Sequence, residues 1–154
     1  MSKQKFFPNP TDVIGTQATP ATLTATYTDN DSELKAELID TLSLTVDYVS
    51  NAAGNANSYV EIKIDVSHVN APTIGTEDDW APYGGVVYGT SENDVHDAPF
   101  VVPGDKVSVA GTAERRSFFV EIPPARWVRI SVREVGNGAN FGTVWISEAR
   151  IESL

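Results

Sequence analysis

The chain has 154 residues, 41% of them hydrophobic, with 21 acids against 11 lysines and arginines and a formal net charge of −10. That length suits one domain with a sizeable core and is short for two; the lack of cysteine excludes disulfides, thiolate metal sites and a cysteine nucleophile together. The charge is uneven: residues 1–114 hold 17 acids and 5 lysines, a net of −12, whereas residues 115–154 hold 4 acids and 6 arginines, a net of +2. The acidic body disfavours nucleic acid as a partner. It serves either as a solubilising surface or to steer acidic surface onto arginine-bearing surface of a copy or another protein.

Met1 to Pro8 carries two lysines with no apolar segment behind them, and no run nears the roughly 18 apolar residues of a membrane span. The expectation is a chain made in a cytoplasm, with no membrane contact. Residues 1–12 read as an N-terminal arm or edge strand and residues 13–154 as a single domain. Phe6 and Phe7 are adjacent and cannot both face one side of a strand, so an arm that docks on another subunit stands beside an ordinary edge strand. From Thr22 to Thr28, Leu23, Ala25 and Tyr27 alternate with threonines, which predicts a strand entered just after Pro20.

Asp29 to Glu33 sets five oxygen-bearing side chains in a row, but Leu34 stands where a calcium loop needs glycine and Asp40 where it needs a bidentate glutamate. A turn into a short helix is expected, with Thr28 and Asp31 spaced as a capping box and Leu34 one turn before Leu38. A strand over the same residues is the alternative.

Thr41 to Ser50 presents Leu42, Leu44, Val46 and Tyr48 on one face, and Ser58 to His68 presents Val60, Ile62, Ile64 and Val66, with mostly polar residues between. Period two predicts two half-buried strands. The linker Asn51 to Asn57, with Gly54 and three asparagines tolerant of left-handed backbone, predicts that the two form a central hairpin. His68 ends the second strand in phase with the buried face and reads as a hydrogen-bonded rim residue.

Asn70 to Asp105 is rich in proline, glycine and acids, and a structureless loop of that length is unusual in a compact domain. Short strands are therefore expected at Val86 to Tyr88 and Phe100 to Val102. Trp80, Tyr83 and Tyr88 fall here and either cap the open end of the core or form a platform for a sugar ring or a protein. Lys106 to Ala110 and Arg116 to Ile122 alternate again. Trp127 to Arg133 puts Val128, Ile130 and Val132 on one face and Trp127, Arg129, Ser131 and Arg133 on the other. That second face suits cation–π stacking or a subunit contact, or else is solvated with its arginines stacked on Trp127. Gly136 to Gly142 turns the chain into a closing strand, Thr143 to Ile151, central or bulged around Val144-Trp145-Ile146.

Catalytic motifs are missing. His68 and His96 are the two imidazoles, and the sequence holds no G-x-S-x-G elbow, G-x-G-x-x-G, P-loop or H-E-x-x-H. Asp94-Val95-His96-Asp97 has ligand-bearing side chains at a spacing that specifies no metal. A non-enzymatic protein without a cofactor is the expectation.

Leu42-Ser-Leu-Thr-Val-Asp-Tyr-Val49 followed by Tyr59-Val-Glu-Ile-Lys-Ile-Asp-Val66 resembles the central hairpin of small β-sandwich structural proteins of tailed bacteriophage virions. Ala125-Arg-Trp-Val-Arg-Ile-Ser-Val-Arg133, with a glycine-rich turn and Gly142-Thr-Val-Trp-Ile146, resembles their final hairpin. The resemblance implies an all-β fold, a single antiparallel β-sandwich of jelly-roll type with at most one short helix. It also implies a virion component made in the host bacterial cytoplasm, a capsid decoration or head-tail protein that assembles as a homo-oligomer and contacts the major capsid or head-tail proteins. The Arg-Trp-Val-Arg-Ile pattern also looks like carbohydrate-binding jelly rolls, which makes a glycan the alternative partner through Trp80, Tyr83 and Tyr88. Contact residues on the protein-binding reading are Phe6, Phe7, Trp127, Arg129 and Arg133.

Overall fold

The computed structural model describes residues 4–6, 11–30, 34–36, 39–51, 58–83, 100–103, 113–122, 124–136 and 138–153. In chain order its strands are β1 (Gln4–Phe6), β2 (Thr11–Ile14), β3 (Ala21–Thr22), β4 (Thr28–Asp29), β5 (Leu34–Lys35), β6 (Ile39–Val49), β7 (Tyr59–Ser67), β8 (Ala81–Pro82), β9 (Phe100–Pro103), β10 (Ala113–Glu121), β11 (Trp127–Val135) and β12 (Thr143–Ser153). A three-residue 3-10 turn at Glu77–Asp79 precedes β8. No described helix is long and apolar enough to cross a membrane.

All pairings are antiparallel and fall into two sheets. Sheet A runs β1-β12-β6-β10, with β2 and β3 continuing the row of β1 along β12; sheet B runs β4-β11-β7-β8, with β5 and β9 continuing the outer rows. Among the described residues each sheet thus has four rows, and the long strands β6, β7, β10, β11 and β12 change sheet at every step. This is the jelly-roll arrangement of an all-β sandwich, as the sequence predicts.

The alternating faces make the core. Leu42, Leu44, Val46 and Tyr48 of β6 share one buried cluster with Val60, Ile62, Ile64 and Val66 of β7, and Val128, Ile130, Val132, Val144, Ile146 and Val120 belong to it as well. Each such side chain contributes roughly 1.5–3 kcal/mol on burial, so the sandwich holds without cysteine. At one end the Tyr48 hydroxyl donates to Glu134 Oε1 at 2.5 Å and lies 2.9 Å from Ser58 Oγ, while Glu134 Oε2 accepts from the Gly142 N–H at 2.6 Å. This buried polar knot ties sheet A to sheet B. Burial and the bond to Glu134 keep the Tyr48 hydroxyl protonated well above the usual tyrosine range.

Both expected hairpins prove to be crossings between layers. β6 and β7 lie in different sheets, as do β11 and β12. Alternation records which face is buried and not whether the cover comes from a neighbour beside or opposite. Residues 51–57 can reach at most roughly 25 Å, ample for a gap between layers of about 10 Å. Between β11 and β12 the chain turns through Gly136 and Gly138, both at positive φ (95° and 64°).

Two shorter expectations also change. Thr22 to Thr28 is not one strand: β3 pairs with β12 in sheet A and β4 with β11 in sheet B, so the residues between carry the chain across, with Leu23 buried at the crossing. Leu34–Lys35 pairs with Val128 and Trp127 as β5, so the strand alternative replaces the helix; an open ladder on β11 outweighs a weak local helix signal. Leu38, Val86 to Tyr88 and Lys106 to Ala110 lie outside the described residues. The strand at Phe100 to Val102 is present as β9, and the closing strand is both central, between β6 and the N-terminal row, and bulged against β2 at Ile146/Ser147.

Candidate contact surfaces on the two sheets

The outer face of sheet B carries the predicted arginine stripe, and the chain covers much of it with its own residues. Arg129 and Asp65 are paired across β11 and β7 and both are 1% exposed. Arg129 Nε and Nη2 donate to Asp65 Oδ2 at 3.0 and 2.6 Å, and its Nη atoms also donate to both carboxylate oxygens of Glu77 at 3.0 Å and to the Ile74 carbonyl at 2.8 Å. Ile74 and Glu77 belong to the segment between β7 and β8, which folds back over the sheet. That segment is held by Thr73, whose N–H donates to Asp79 and whose carbonyl accepts the Trp80 indole N–H at 2.9 Å. Burial works against the Arg129 charge, but the hydrogen bonds to Glu77 and Asp65 outweigh it and raise its pKa.

The expected stacking occurs on different rings. Arg129 lies 5.1 Å from the centroid of Trp80, and Arg133 4.6 Å from that of Tyr27. Trp127 is approached instead by Lys35, at 5.6 Å, because Arg129 is drawn along the sheet to Asp65. Arg133 also donates to Glu61 at 2.6 Å. Asp29 accepts from Ser131 Oγ at 2.6 Å, and Asn30 Oδ1 accepts from the Ile130 N–H at 2.8 Å. The first two residues of the oxygen-rich run therefore serve as a clasp on β11; Asp31 to Glu33 are outside the described residues.

The predicted contact residues separate accordingly. Arg129 and Trp80 (8% exposed) are packed away, Trp127 and Arg133 are half-buried, and Tyr83 is half-buried against the core. The backbone of Phe6 pairs with Ile151 in β1, the edge-strand alternative. Phe7 and Tyr88 lie outside the described residues, as does the Phe6 side chain. His68 falls just beyond β7 and is exposed, so it does not share the buried face of that strand.

Sheet A presents a different outer face. Its rows across β12, β6 and β10 read Trp145–Asp47–Arg115, Ser147–Thr45–Ser117 and Ala149–Ser43–Phe119. Arg115 holds Asp47 through two bonds of 2.6 and 2.5 Å, and the Trp145 indole donates to Asp12 at 2.6 Å. The middle is a low floor of Ser43, Thr45, Ser117 and Ala149. Phe119 stands beside it at 70% exposure, because Ser43 and Ala149 in its row are too small to cover a phenyl ring. Sequence reasoning missed this residue, yet the signal was there: Phe118 and Phe119 are adjacent, so one of the pair must face outward.

No protein-family model matches the chain, and no curated protein does. Among solved structures it is similar to a chain from infectious bursal disease virus, strain Gx, at 11% identity over all of this chain and 41% of that one, with a TM-score of 0.19. The chain thus spans about two fifths of that chain's length, and at that score no role carries over. Fold and surface define a jelly-roll sandwich in which the segment between β7 and β8 covers part of the sheet B face, while the described part of the sheet A face bears the exposed Phe119.

Proposed function

We propose that this protein is a non-enzymatic structural component of a tailed-bacteriophage virion, a capsid decoration or head-tail protein that works through protein contacts and self-assembly. The observation that carries the reading is the contrast between the two outer faces. Sheet B has Arg129 held by Asp65 and Glu77 under a covering segment and Arg133 held by Glu61, whereas sheet A, beside its Arg115–Asp47 pair, presents small residues bordered by the exposed Phe119. A lone exposed phenylalanine is ordinary on a protein surface. One held on a paired strand beside small side chains is suited to being covered by another protein. The strand patterns resembling phage sandwich proteins supply the kind of particle.

The test is co-sedimentation of the purified protein with heads and with tails from the phage that encodes it, using Phe119→Ser as the contact variant. Saturable pelleting with one of the two, weakened in the variant, is the expected result. No pelleting with either, together with saturable binding on a glycan array, overturns the proposal in favour of a carbohydrate-binding module.

A further inference from the structure

We infer that β10 is the seam of a two-fold dimer, in which two copies of this chain align their β10 strands antiparallel and join their A sheets into one. The inference rests on the reading of sheet A as the contact surface and names its first partner. Among the described residues three of the four lateral rows are made of short separate strands: β1 to β3 along β12, β4 and β5 along β11, β8 and β9 along β7. β10 is the exception, nine continuous residues that pair with β6 and with no other described strand, with Arg115, Arg116, Ser117, Phe119 and Glu121 all exposed. Interrupted rows blunt a sheet edge, whereas a long uninterrupted one offers a continuous ladder for a second strand.

The strand is complementary to itself. With the two-fold axis normal to the sheet at Phe118, Arg115 stands opposite the partner's Glu121 and Ser117 opposite the partner's Phe119, and the same pairs recur across the axis. The two Phe119 positions are then diagonal neighbours, about 7–8 Å apart and within reach of aromatic side chains. Arg115 is already fixed by its two bonds to Asp47, so it meets the opposing carboxylate with little further ordering. Such an interface is isologous and closes at two copies. Arg116 belongs to the inward-facing parity of the strand yet is exposed, and an inward charge on an edge disfavours less specific pairing.

Sedimentation velocity over a wide concentration range, with circular dichroism to verify folding, provides the test. The wild type should show a monomer–dimer equilibrium, and Phe119→Ser should weaken it by about tenfold or more. Glu121→Arg and Arg115→Glu should each be monomeric alone, since each sets like charges opposite one another, and an equimolar mixture of the two should recover the dimer. A wild type that stays monomeric, a dimer indifferent to Phe119→Ser, or a mixture no more associated than its parts overturns the seam. A monomer that still pellets with phage heads rejects the seam and leaves the virion reading standing; a dimer that ignores heads and tails does the reverse.

Discussion

The Arg129 guanidinium lies 5.1 Å from the centre of the Trp80 ring, with both side chains buried between sheet B and the segment folded over it. This makes Arg129 a structural ion. Removing it leaves the carboxylate of Asp65 buried with Lys63, 3.3 Å away, as its remaining cation among the described residues. Arg129→Ala should therefore cost about 3–5 kcal/mol in chemical denaturation. Glu77→Gln should cost far less, because the Glu77 side chain is 73% exposed. Equal losses from the two variants contradict this account.

The same network gives an acid limb to stability. The hydrogen bond from Arg129 holds the Glu77 carboxyl below its ordinary value of 4.5. A depressed folded-state value means that the contribution is present above about pH 4.5 and lost as the pH falls through the lower folded value. The stability difference between wild type and Glu77→Gln should be positive at pH 7, modest and salt-sensitive. It should vanish in acid, and a difference that persists unchanged at the lowest pH refutes the assignment.

Tyr48 governs the alkaline side. Its value is raised above the ordinary 10.0, first by burial and then by the bond to Glu134, so its contribution is whole below pH 10 and declines as the pH climbs toward the folded value. Tyr48→Phe should remove that part of the decline. At neutral pH it should cost about 1–3 kcal/mol, the usual penalty for deleting one partner from buried polar groups, here Glu134 and Ser58. Denaturation curves at pH 7 and pH 11 measure both effects.

Gly142 is required by proximity. A Cβ there would collide with the Val49 carbonyl, while the Gly142 N–H holds Glu134 and its carbonyl accepts from Leu23. Gly142→Ala should destabilise by about 1–3 kcal/mol as an overpacked site and shift backbone resonances of Val49 and Leu23. Gly75, where an added Cβ meets nothing within 4 Å, provides the control: Gly75→Ala should be nearly neutral.

Sequence alone determined the long strands and their oily faces. Leu42 to Tyr48 and Val60 to Val66 alternate because successive side chains on a strand point to opposite sides, and that local rule needs no knowledge of partners. Tertiary structure decided which strand lies beside which. A face covered from across the sandwich has the same period as one beside a hairpin partner, so β6 and β7 read as neighbours although they lie in opposite sheets. It also decided the fate of the arginines: Arg129 looks outward in the pattern, but the segment carrying Ile74, Glu77 and Trp80 folds back and closes over it. Alternation fixes the side of the sheet a residue faces, whereas long-range packing fixes whether that side meets water.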